Sequence, residues 1–184
     1  MKDLASHVMD ITENSITANA TVITVDFEAD EKKDTLVIKI EDNGKGMSEE
    51  MLERVTSPFT TTRTTRRVGL GIPLFKYGAE NTGGSFRITS QLKKGTQVCA
   101  TYVLSNIDRP PVGDLPGVLS TLVICHEDID FVIKVARNGN AFEFKSADVK
   151  NVLQGVSFSQ PEVSTWITQC FKEGIDEIYG GNFE

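Results

Sequence analysis

Positive charge is scarce in this 184-residue chain: 19 Lys and Arg stand against 26 Asp and Glu, a formal net charge of −7. A surface of that sign repels a phosphate backbone over most of its area, so nucleic acid is not expected as a partner. Cysteine is scarce too. Cys99, Cys125 and Cys170 are odd in number, far apart and without a C-x-x-C pair. They read as reduced thiols, which excludes a disulfide framework and a cysteine-based metal site. The two histidines, His7 and His126, do not stand at ligand spacing. No apolar run approaches the ~20 residues that cross a bilayer. Lys2 and Asp3 lead into a mixed helix rather than an apolar signal segment. The expected location is therefore cytoplasmic, with no membrane partner. A G-x-x-x-x-G-K-[ST] phosphate loop is also missing, and Gly69-Leu70-Gly71 follows a loop rather than a strand, which sets aside a dinucleotide fold. What remains is a globular composition, 39% hydrophobic and 24% charged, long enough for one domain with an appendage or for two small domains.

The stretch Glu41-Asp42-Asn43-Gly44-Lys45-Gly46-Met47 follows the apolar run Leu36-Val37-Ile38-Lys39-Ile40. A strand that ends in a carboxylate and two nearby glycines lets a ligand approach the backbone closely. An ionised Asp42 accepts hydrogen bonds only, which suits the exocyclic amine of adenine, and Gly44 and Gly46 leave room for the ring. An Asn-Gly turn with a solvated Asp is the alternative reading of the heptapeptide alone. Upstream, residues 3–20 carry the helical spacing Leu4, Val8, Ile11, Ser15, Ala18. Asp10, Asn14 and Thr17 fall on a neighbouring face. From there Asn14 suits a metal ion through its amide oxygen, and Asp10 suits orienting or deprotonating a nucleophile; solvated polar positions are the alternative. Residues 21–28 and 35–40 read as a hairpin, and Ser48 as the cap of a short helix.

Residues 57–76 hold a threonine- and arginine-rich loop, with five Thr and three Arg in positions 60–67. Arg63, Arg66, Arg67 and Lys76 form a local positive patch, and Gly69-Leu70-Gly71 opens a helix over about residues 73–80 whose N-terminus attracts phosphate. Strands follow at 85–91 and 96–104. The whole reads as an α/β, two-layer α+β sandwich: a mixed sheet covered on one face by helices.

These pieces resemble the Bergerat ATP-binding fold shared by DNA gyrase B, the MutL mismatch-repair proteins, heat-shock chaperones of that class and histidine kinases. Asp10 and Glu13-Asn14-Ser15-Ile16 resemble the family's N-box, and Asp42-Asn43-Gly44-Lys45-Gly46 its adenine motif. Gly69-Leu70-Gly71 and Gly95-Thr96 resemble its second and third glycine motifs, while Pro58-Phe59-Thr60-Thr61-Thr62-Arg63 is most similar to the histidine-kinase branch. The resemblance implies the cofactors ATP and Mg²⁺. Asn14 would then be the metal ligand, Asp42 would bind the amine, Gly44 and Gly46 would shape the base pocket, and Thr96 would support Asp42. Thr61, Thr62, Arg63, Gly69, Leu70 and Gly71 would hold phosphates. Asp10 stands where hydrolytic members have a Glu general base, shorter by one methylene. Only nine residues precede Asp10, so no phosphoacceptor hairpin is expected within this chain, and His126-Glu127-Asp128 reads as a turn.

Residues 1–107 are thus expected to form the ATP-binding domain and residues 108–184, after the linker Asp108-Arg109-Pro110-Pro111-Val112-Gly113, a small α+β extension of unknown role. Within it we expect a helix over 114–125, a hairpin around Arg137-Asn138-Gly139-Asn140, a short helix capped by Ser146, and a last helix from Pro161 with Val163, Trp166, Ile167, Cys170 and Phe171 as its apolar stripe. The expected activity is that of a slow ATPase or a kinase acting on a separate protein partner, with a nucleotide-gated interaction module as the alternative and a MutL-type DNA-associated ATPase the weaker one.

Overall fold

The computed structural model describes residues 3–56 and 71–180. Helix α1 (Leu4–Thr17) starts at Asp3, whose carboxylate accepts from the Ser6 N–H, and ends before Asn19, which turns the chain at positive φ. Strands β1 (Val22–Asp30) and β2 (Thr35–Asp42) alternate buried and half-exposed residues at period two. That alternation sends Ile23, Val25, Phe27 and Ala29 to one face together with Leu36, Ile38 and Ile40. Helices α2 (Glu49–Thr56) and α3 (Gly71–Asn81) precede β3 (Ser85–Gln91) and β4 (Gly95–Val103). Then come α4 (Leu115–Cys125), β5 (Asp130–Arg137), β6 (Asn140–Lys145), α5 (Ser146–Leu153) and α6 (Pro161–Tyr179).

All six strands join one mixed sheet in the order β3-β4-β2-β1-β5-β6. Pairing is antiparallel except between β1 and β5, which run parallel with Val22 opposite Asp130 and Ala29 opposite Arg137. Strands β5 and β6 therefore continue the sheet built by the first part of the chain. One apolar cluster runs from Leu4, Val8 and Ile11 of α1 through the strands to Leu119 of α4 and Ile167, Phe171 and Ile175 of α6. The expected mixed sheet with helices on one face is what forms.

Two local expectations are corrected. Ser146 does not cap α5: it is the helix's first residue, and its buried hydroxyl accepts from the Phe131 N–H, so it ties α5 to β5. Trp166 is 53% exposed and leaves the core to Ile167, Phe171, Ile175 and Tyr179, a run at i, i+4 spacing. Among the described residues no helix is long and apolar enough to cross a membrane.

Candidate functional site

The acidic end of β2 meets α1 beneath a cleft of about 180 Å³. Asp42 lies at its floor with only 8% of its surface exposed. A buried carboxylate needs hydrogen-bond donors, and Asp42 has two. Gly44 N–H donates to Oδ1 at 2.8 Å and Ser15 Oγ donates to Oδ2 at 2.7 Å. Ser15 is a polar position inside the buried stripe of α1, so helical packing and the carboxylate fix each other's place.

The Gly44-Lys45-Gly46 turn is sewn down on both sides. Lys45 N–H donates to the Ala18 carbonyl, and Lys93 N–H, from the β3–β4 turn, donates to the Lys45 carbonyl. Gly46 has φ +64°, and a Cβ there would overlap the Gln91 carbonyl. Gly95, with φ +113°, lies so close to the Asp42 carbonyl that a Cβ has no room. Gly46 and Gly95 thus let two turns cross at van der Waals distance, so the space they free is taken by backbone.

Asn14 and Thr17 line the same cleft from α1, Lys45 and Met47 from the turn, Met51 and Val55 from α2, and Ile72 from α3. Thr96 faces Asp42 across the β2–β4 ladder and also lines the cleft. Its hydroxyl lies 2.9 Å from Ser90 Oγ, which in turn accepts from the Met47 N–H. The direct partners of Asp42 among the described residues are therefore Ser15 and Gly44. Asp10 sits one turn before Asn14 on the exposed side of α1, against Gly71 at the start of α3: a Cβ on Gly71 would come within 3.2 Å of Asp10 Oδ2. A carboxylate at a helix N-terminus is electrostatically favoured. Thr61, Thr62, Arg63, Gly69 and Leu70 lie outside the described residues; Gly71 is buried where α3 begins.

One turn back along α1, His7 is 5% exposed and packs on Phe75, with ring centroids 5.3 Å apart. Burial holds its pKa below the ordinary histidine value. Sequence reasoning missed five contributors to the site. Ser15 was assigned to the apolar stripe, although a polar residue there is the signal that betrays it. Ser90 has no sequence mark. Met51, Val55 and Ile72 become pocket walls only once α2 and α3 meet.

A family model described as histidine kinase-, DNA gyrase B-, and HSP90-like ATPase matches residues 2–106. Sporulation kinase D of Bacillus subtilis (strain 168) is 37% identical over 83 residues, which is 45% of this chain and 16% of that kinase's length. The ATPase domain of Aquifex aeolicus MutL complexed with ADP superposes with a TM-score of 0.50 at 15% identity, over 84% of this chain and 70% of that one. The N-terminal domain of a DNA repair protein gives a TM-score of 0.53 at 18% identity, over 78% and 52% respectively. At these identities the two structural likenesses speak to the fold alone.

Proposed function

The chain belongs to the histidine kinase-, DNA gyrase B- and HSP90-like ATPase family, and from that premise we propose that it binds Mg-ATP in the cleft above Asp42 and acts as a slow ATPase or as a protein kinase on a separate partner. The observation that carries this reading is Asp42 itself. Its two oxygens are held by Gly44 N–H and Ser15 Oγ at the floor of a cleft walled mostly by apolar side chains, so it presents fixed acceptor capacity to a base amine. Asn14 of α1 lines the same cleft, and its amide oxygen suits a hard cation such as Mg²⁺. When bound, that ion would neutralise phosphate charge and polarise the terminal phosphoryl group.

Within this reading Asp10 orients or deprotonates the nucleophile from its place beside the α3 N-terminus. Aspartate is one methylene shorter than the glutamate of hydrolytic members, and a displacement near ~1 Å costs on the order of 100-fold in rate. Slow turnover is the consequence. The test is release or transfer of the labelled γ-phosphate by wild type, Asp10→Asn and Asp10→Glu. We expect Asn to abolish it and Glu to raise it; equal rates in all three would remove Asp10 from the chemistry.

A second reading, a nucleotide-gated interaction module, draws on one observation. Helix α2 has no buried residue, and its apolar Met51 and Val55 border the cleft. A base filling the cleft would add apolar contacts to α2 and order it, which couples occupancy to the shape of that surface. Binding of ATP with no turnover in any Asp10 variant would favour it.

A further inference from the structure

Ser90 Oγ, on β3, is the meeting point of three polar groups. Met47 N–H donates to it at 2.8 Å, the Gly95 carbonyl oxygen lies 3.0 Å away, and Thr96 Oγ1 lies 2.9 Å away. A serine hydroxyl has one hydrogen and two lone pairs. Met47 occupies one lone pair. The Gly95 carbonyl is an acceptor only, so it takes the hydrogen. One lone pair is left for Thr96, which must then be the donor. A single proton arrangement turns all three contacts into hydrogen bonds. In it the Thr96 hydrogen is committed to Ser90, and Thr96, which lines the cleft together with its cross-strand partner Asp42, is left with acceptor capacity only, as Asp42 is.

We propose that Ser90 is a positioning residue for base selectivity: by fixing the polarity of the Thr96 hydroxyl it makes the cleft favour a purine with an amine at its 6-position and disfavour a 6-keto purine. This rests on the ATP-binding reading above. The carboxylate of Asp42 supplies part of the preference without help, because it has no hydrogen to offer a keto oxygen. Thr96 is different, since a threonine hydroxyl free to rotate would donate to a keto group and accept from an amine with equal ease. Ser90 removes that freedom without touching the ligand, and Met47 N–H and Gly95 hold Ser90 in turn.

ATP and ITP differ at the 6-position, amine against keto, and at the adjoining N1, an acceptor in the first and an N–H in the second, so the ratio of their dissociation constants is the readout. It is measured calorimetrically on the full chain for wild type, Ser90→Ala, Ser90→Thr, Thr96→Val and the Ser90→Ala/Thr96→Val double variant. Ser90→Ala is expected to narrow the ATP-over-ITP preference by roughly fivefold, about the worth of one hydrogen bond. Ser90→Thr, which keeps the hydroxyl, is expected to hold the preference near wild type. In the Thr96→Val background the Ser90 change should leave the ratio alone, the mark of a single coupled path. Equal weakening of both nucleotides by Ser90→Ala would overturn the proposal, since it is the signature of a purely structural role. So would a ratio shift that persists without the Thr96 hydroxyl. If Ser90→Ala does not fold, Thr96→Val decides: an unchanged ratio overturns the inference. A wild-type chain that binds neither nucleotide overturns the ATP reading itself, and this inference with it.

Discussion

Asp42 and Ser15 form the smallest unit on which the site depends. Removing the Ser15 hydroxyl strands Oδ2 of a carboxylate that is 8% exposed, and a buried acceptor left unpaired costs about 1–3 kcal/mol. Ser15→Ala should therefore lower the urea midpoint and weaken ATP binding together; a loss of stability with affinity intact would place Ser15 in the core alone. His7 makes a second residue-level prediction. Its folded pKa lies below the ordinary value, so the imidazole stays neutral in the native chain while the unfolded chain takes up a proton as pH falls through about 6.5. Stability is then full above that pH and declines below it until the folded pKa is reached. His7→Leu should flatten this slope between about pH 7.5 and about pH 5.5, as followed by urea denaturation. An unchanged slope would locate the acid sensitivity elsewhere. At this scale the sequence was partly legible: residue type and order put Asp42 at the end of β2, Asn14 on α1 and Gly46 and Gly95 in the turns beside them. Ser90 does not, because the proton count that gives it meaning exists only where β3, the Gly46 turn and Thr96 meet.

Among elements, the two crossing turns are the least forgiving. A methyl group on Gly46 or Gly95 meets backbone carbonyls, Gln91 and Asp42 respectively, at positive φ in both cases. Backbone does not move aside as a flexible side chain does, so Gly46→Ala and Gly95→Ala should each cost on the order of 3 kcal/mol or more. Chemical denaturation checks this, with Gly139→Ala, which meets nothing within 4 Å at φ +90°, as the control for positive-φ strain alone. Helices and hairpins were readable to within about three residues from period and turn chemistry, the largest miss being the end of α1, expected at residue 20 and found at Thr17. The Asn138-Gly139 turn stands where local chemistry puts it, and Asp114, counted within its helix from the sequence, is the cap of α4. Trp166 was misplaced because a helical stripe in the sequence is wider than the strip of α6 that the sheet and α4 can cover.

Over the whole molecule, the feature hidden from the sequence is the parallel pairing of β5 with β1, which joins residues more than a hundred positions apart through eight register pairs. No local pattern encodes a partner that distant, although the apolar alternation of Phe131, Ile133 and Val135 announces a buried strand. Ending the chain after residue 107 would bare one edge of β1 and the side of the core now covered by α4 and α6. Such a truncated chain should lose its cooperative thermal transition and bind a hydrophobic dye; a sharp transition matching the full chain would show that the extension is dispensable. The central claim, that the Asp42 cleft is an adenine-nucleotide site, is tested most directly by calorimetric titration of Mg-ATP into wild type and Asp42→Asn. Replacing one carboxylate oxygen by an amide turns an acceptor into a donor facing the amine, so the account predicts saturable binding by wild type and a loss of about 10-fold to 100-fold in the variant. Equal binding by the two proteins, or none by wild type, would contradict it.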